Sequence, residues 1–188
     1  MEIRGIVTTT VLILALITIS TASAAPICWV ANTDWDVPYV GQYAAPAFAD
    51  LDNDGDYDLL IGEEYGESYG YENTGNASNP NWTANTGWDA PDVGWYALPA
   101  FADLDNDGDY DLLIGEEYGV YGYENTGSAS SPDWTANTGW DVPDVGTYAT
   151  PAFADLDGDG DYDLLIGESD GVSYGYENTA PPPDPQTQ

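Results

Sequence analysis

The 188-residue chain contains no histidine, no lysine, one arginine and one cysteine. Each absence excludes a class of chemistry. Without His or Lys, the usual general bases and Schiff-base amines are missing, and no cationic clamp is available for a phosphate. Zinc and copper centres favour His and Cys, so the composition disfavours them as well. Arg4 is the only cationic side chain set against 34 acidic ones, giving a net charge of −33. Ion pairing cannot offset such a surface, and nucleic acid and anionic membranes are poor partners for it.

What the chain does have is one nine-residue string in triplicate. DLDNDGDYD spans Asp50–Asp58 and Asp103–Asp111, and DLDGDGDYD spans Asp155–Asp163. Five carboxylates at alternate positions repel one another unless a cation neutralises them. A hard ion with six to eight oxygen ligands, calcium above all, suits a loop that curls alternate residues around it. The spacing predicts side-chain oxygens from Asp50, Asp52, Asp54 and Asp58, and the backbone carbonyl of Asp56, with Gly55 at the sharp turn. Asp103, Asp105, Asp107, Asp109 and Asp111 repeat these roles around Gly108, and Asp155, Asp157, Asp159, Asp161 and Asp163 around Gly160. About three calcium ions per chain are expected. An EF-hand would need Glu at position twelve, where Ile61, Ile114 and Ile166 stand. A metal-free acidic turn is the plainer alternative, and three in-register copies argue against it.

The strings belong to a longer repeat opened by Trp29, Trp82 and Trp134, at offsets of 53 and 52 residues. The missing residue falls around Glu117–Tyr121, which places a hairpin tip there. Ala-Phe-Ala before each loop and Leu-Leu-Ile-Gly after it read as strands, the second covered on both faces. Tyr69-Gly70-Tyr71 predicts a third strand whose glycine lets a neighbouring sheet approach, and Trp82-Thr83-Ala84 a fourth. No segment of the repeats has helical period. The expected fold is therefore all-β, with three four-stranded blades of β-propeller type at approximately 29–81, 82–133 and 134–180.

The D-x-D-x-D-G-x-x-D motif between A-F-A and L-L-I-G, followed by Y-E-N-T-G at Tyr71–Gly75 and Tyr123–Gly127, resembles the FG-GAP/VCBS-type repeats of integrin-like β-propellers. The third copy departs from the pattern, ending Asn178-Thr179-Ala180. The resemblance implies one four-stranded blade per repeat and calcium held by each aspartate loop. Propellers close with about four to eight blades, so three leave apolar flanks and strand edges open. A homo-oligomer that completes the ring, or a filament of open arcs, is the expected result.

Met1–Ala24 reads as a secretory signal, with Arg4, an apolar Ile6–Ile19 core and Ala22-Ser23-Ala24 at the cleavage point. A retained anchor is the alternative, although the apolar run falls short of the roughly 20 residues that a membrane helix needs. The chain is expected outside the cell or on its surface. Cys28 reads as a small buried residue of the first strand, or else as a cross-link between copies. Asn76 and Asn81 fit the glycosylation pattern. Residues 181–188 read as a Pro-rich, disordered tail.

The expected function is that of a secreted calcium-binding repeat module, adhesive or surface-structural, and not an enzyme. Glu63, Glu64, Glu116, Glu117 and Glu168 recur with the repeats, as structural rather than catalytic residues do. A glycan-binding module is the alternative, with Trp35, Trp88 and Trp140 as stacking platforms, although packing between blades accounts for them more simply. A polysaccharide-degrading enzyme is a third and weaker reading, since paired carboxylates can cleave a glycosidic bond. A glycan or a cell-surface protein would then be the partner.

Overall fold

The computed structural model describes residues 29–143 and 145–179. The leader Met1–Ala24, Cys28 and the tail 181–188 lie outside them. From Asn32 onward the described residues form three antiparallel sheets and one 3-10 turn at Thr33–Trp35, with no α-helix.

The first sheet runs in the order β1 (Ala45–Ala49), β2 (Asp58–Gly62), β3 (Ser68–Asn73), β4 (Trp82–Ala84). The second repeats it as β5 (Leu98–Ala102), β6 (Asp111–Gly115), β7 (Gly119–Asn125) and β8 (Trp134–Ala136), and β9 (Val142–Pro143) adds a short pairing to β7. The third contains β10 (Thr150–Ala154), β11 (Asp163–Gly167) and β12 (Ser173–Tyr176). Registers are equivalent: Phe48 opposes Leu59, Phe101 opposes Leu112, and Phe153 opposes Leu164. The one-residue deletion falls at the β6–β7 tip, where the indel placed it.

Four strands were expected in every sheet, but the third has three among the described residues. The first two sheets take their fourth strand from the Trp-Thr-Ala that opens the next repeat, whereas the sequence after Thr179 continues Ala-Pro-Pro-Pro.

The sheets stack with first strands adjacent, β1 beside β5 and β5 beside β10. The apolar runs of β2 and β6 serve both faces. Leu60 meets Leu112, Ile114 and Tyr123 across the first junction, and Leu113 meets Leu164 and Ile166 across the second. A connecting segment lies within each junction. Residues 85–97 follow the first sheet, with Ala97 N–H donating to Glu63 O at 3.0 Å and Val93 N–H to Gly66 O at 3.1 Å, and residues 137–149 follow the second. The glycine of the third strand admits this connection, not a neighbouring sheet as the sequence suggested. A side-chain carbon at Gly70 would lie 2.7 Å from Trp88 Cβ, and one at Gly122 would lie 2.5 Å from Trp140 Cβ.

The recurring glutamates close hairpin tips. Glu63 Oε1 accepts from Tyr65 N–H at 2.7 Å, Glu116 Oε1 from Tyr118 N–H at 2.8 Å, and Glu168 Oε2 from Asp170 N–H at 2.9 Å.

Candidate metal centre

Each aspartate loop joins the first strand of a sheet to its second, and two left-handed residues turn the chain there. Gly55, Gly108 and Gly160 have φ near +100°, as the sequence predicted for the sharp turn. The other turn, at Asn53 (φ 58°), Asn106 (φ 61°) and Gly158 (φ 84°), was missed. Its signal was legible: Asn and Gly are the residues that tolerate this region best.

The last aspartate of each loop is buried at the start of the second strand and fastens the loop to the sheet. Asp58 accepts from Leu51 and Asn73 N–H, both at 2.8 Å. Asp111 accepts from Leu104 and Asn125, both at 2.9 Å, and Asp163 from Leu156 at 2.8 Å and Asn178 at 2.9 Å. The first aspartate binds the turn: Asp50 Oδ1 and Oδ2 accept from Asp54 and Gly55 N–H, as Asp103 does from Asp107 and Gly108, and Asp155 Oδ1 accepts from Gly158.

Three carboxylates converge in each loop. Asp50, Asp52 and Asp58 each bring one oxygen within 4.8 Å of the other two, and so do Asp103, Asp105 and Asp111, and Asp155, Asp157 and Asp163. Asp54, Asp107 and Asp159 fall outside these triads; each turns an Oδ1 onto the backbone N–H two residues on, as the triad members Asp52, Asp105 and Asp157 also do. Asp56, Asp109 and Asp161, expected to offer only a carbonyl, instead carry one buried carboxylate oxygen each with no hydrogen-bond partner: Asp56 Oδ1, Asp109 Oδ1 and Asp161 Oδ2. Asp161 Oδ1 accepts from the Asn106 amide at 2.8 Å, which joins the second loop to the third.

This crowding shifts the carboxyl groups upward. Burial, opposed in part by the two backbone donors, pushes Asp58 up to about 6 and Asp111 to about 7. Burial followed by the Asp107 charge raises Asp109 to about 6. Asp52, Asp56, Asp103 and Asp105 rise for the same leading reason. Asp163 moves down instead, because its bonds from Asn178 and Leu156 outweigh burial where the sheet stops at three strands.

The triads fit a hard cation. Their donors are all oxygen, and an ionised triad with an unpartnered buried oxygen beside it costs free energy that a divalent ion would recover. Such an ion would neutralise charge and hold the strand connection.

The tryptophans of the three repeats meet different fates. Trp88 is 5 % exposed, packed on Ala49 and Leu51, and its faces are closed to a sugar. Trp140 is half-buried and Trp35 is 51 % exposed. Asn76 and Asn81 are exposed on the β3–β4 turn. A further aromatic row went unread in the sequence. Tyr43, Tyr96 and Tyr148 precede the first strands, each with φ of 54–60°, and their rings meet in succession at 5.2 and 4.5 Å.

Repeated antiparallel sheets, each with an aspartate triad between its first two strands, define a β-repeat protein with possible calcium-type sites. The chain belongs to the FG-GAP-like repeat family, whose model matches residues 50–114 and 103–166. No curated protein matches it.

Proposed function

We propose that this chain is an exported structural module whose sheets are held by calcium, with an adhesive or surface-building role and no catalytic activity. The observation that carries the reading is the recurrence of one carboxylate triad at the same strand connection of every sheet. A feature repeated with the fold serves the fold, whereas a catalytic group is needed once per site. The ligands in each loop would be the triad, joined by the unpartnered oxygen of Asp56, Asp109 or Asp161. The absence of Lys and His leaves solvent cations as the neutralising charge, which an exterior rich in divalent ions supplies. Calcium calorimetry on the purified chain tests this: three sites are expected, and no uptake at millimolar calcium would overturn it. N-terminal sequencing of the product released by expressing cells tests export, with Ala25 as the expected first residue.

A second reading, recognition of a neutral glycan, is favoured by the aromatic row rather than by Trp88. Tyr43, Tyr65, Trp95 and Tyr148 are exposed around Tyr96. Three non-glycine residues held at positive φ store strain of a kind found at functional surfaces. A glycan array with the Trp95→Ala variant tests it, and a signal unchanged by that substitution would remove it.

A further inference from the structure

The third sheet ends differently from the other two, in four places that one segment would fill. Leu165 is 44 % exposed, whereas its equivalents Leu60 and Leu113 are 0 % and 2 % exposed in the junctions. A side-chain carbon at Gly62 or Gly115 would overlap the carbonyl of Ala97 or Ala149 in the connecting segment, but at Gly167 it would meet only Ser173 Oγ at 3.9 Å. Likewise Gly70 and Gly122 lie against Trp88 and Trp140, while Gly175 faces only Leu165 Cδ1 at 3.8 Å. Finally, a cavity of about 360 Å³ lined by Leu104, Trp140, Phe153, Leu164 and Tyr176 sits beside exposed β12. At the equivalent place in the second sheet, Trp134 of β8 packs against Phe101, Leu51 and Trp88, and its Nε1–H donates to Trp88 O at 3.0 Å.

The chain carries the matching segment at its other end. Trp-Val-Ala-Asn-Thr-Asp-Trp-Asp-Val-Pro at 29–38 repeats the Trp-Thr-Ala-Asn-Thr-Gly-Trp-Asp of 82–89 and 134–141. Trp29 is 94 % exposed and belongs to no strand.

We infer that the segment Trp29–Ala44 of a second copy completes the third sheet, so that copies join head to tail. In the register of β3 with β4, Ala31 would oppose Tyr176 and Val30 would oppose Glu177. The Trp29 indole would enter the cavity and donate to Trp140 O, as Trp134 does to Trp88 O and Trp82 to Trp35 O. Ala44 N–H would donate to Glu168 O, as Ala97 does to Glu63 O and Ala149 to Glu116 O. The first sheet of the second copy would then cover Leu165, as the second sheet covers Leu60. Strand donation to an open edge supplies main-chain bonds and the pockets supply selectivity. The contact is heterologous, giving a closed ring or a filament according to the rotation between copies. It names the partner of the module proposed above and rests on that reading only in using calcium-loaded chain.

Four measurements on the full chain in calcium test it. Light scattering is expected to give a multiple of the chain mass; a monomer at micromolar concentration would overturn the inference. Gly167→Ala, which within its own chain meets only Ser173 Oγ at ordinary contact distance, is expected to keep the circular dichroism and calcium uptake of the parent and lose the oligomer; an intact oligomer would overturn it. The same register places Cys28 opposite Thr179, as Asn81 stands opposite Thr74. Thr179→Cys should therefore yield intermolecular disulfides with Cys28 under mild oxidation, abolished by Cys28→Ser. An intramolecular disulfide instead would mean that the segment closes on its own sheet, contradicting the exchange. Trp29→Ala should weaken association by about 30-fold or more, the loss typical of a buried aromatic anchor. Failure of calcium uptake with oligomer retained would reject the calcium reading and leave this one standing.

Discussion

The side-chain amide of Asn106 donates to Asp161 Oδ1 at 2.8 Å, tying the turn of the second aspartate loop to the floor of the third. Asp161 is itself buried, with its other oxygen unpartnered. A hydrogen bond from a neutral donor to a carboxylate there is worth about 1.5–3 kcal/mol. Asn106→Ala should lower the stability of the calcium-loaded chain by about that amount. Denaturant melts would check it, and a change below about 0.5 kcal/mol would mean that the bond contributes nothing net.

Asp111 accepts two backbone N–H bonds, from Leu104 and Asn125, on its two oxygens. An asparagine has one acceptor oxygen, so Asp111→Asn leaves a buried donor unpaired at a cost of about 1–3 kcal/mol. It also removes a charge from the triad. In calcium both losses act; calorimetry should then count two filled sites instead of three, with a lower denaturant midpoint.

Proton linkage at Asp58 and Asp111 has a definite sign. Asp58 and Asp111 have folded values of about 6 and 7, above the ordinary 3.8. A carboxyl raised by folding stabilises the fold fully below its unfolded value, and that contribution is lost as pH rises through the folded value. In chelator, stability is expected to fall from about pH 4 to 7, and repulsion among the acids adds to the fall. Calcium binds the ionised form, so its affinity should fall as pH drops through the same window. A chelated chain whose midpoint climbs over that range would contradict the first statement, and calcium calorimetry at about pH 5 and about pH 7 with equal affinities would contradict the second.

Gly115 lies against the Ala149 carbonyl, where a methyl group has no room. Neither atom is the end of a flexible side chain, so Gly115→Ala forces the second and third sheets apart. A loss of about 1–3 kcal/mol or more is expected, as for overpacked cores. Thermal melting would measure it.

Trp88→Ala removes the centre of a buried cluster formed with Ala49 and Leu51. The cost should be about 3–5 kcal/mol. Glycan binding lost in that variant would therefore report unfolding, and Trp95→Ala on the exposed aromatic row is the informative substitution.

Much of this architecture was legible because its signals are local. Leu59-Leu60-Ile61 is a continuous apolar run between turn-formers, and a strand buried on both faces is what such a run becomes. The aspartate loops carry their own turn residues, and Trp82-Thr83-Ala84 reads as a strand from its own residues. The ligand set was legible only in part. Alternate spacing treated Asp54 as a ligand and Asp56 as a carbonyl donor, but spacing does not say which carboxylate oxygens will converge. Those of Asp50, Asp52 and Asp58 do so, and Asp56 keeps a buried oxygen free of partners.

The sequence by itself determined the strands, the loops and their threefold recurrence, since these depend on periodicity and on residues within a few positions of one another. Only the tertiary structure decided which copies of a repeated residue are covered. Leu60, Leu113 and Leu165 occupy one repeat position, as do Trp35, Trp88 and Trp140, and their exposures diverge. Burial is conferred by the sheet or segment that lies alongside, and that neighbour is supplied by residues some 50 positions away.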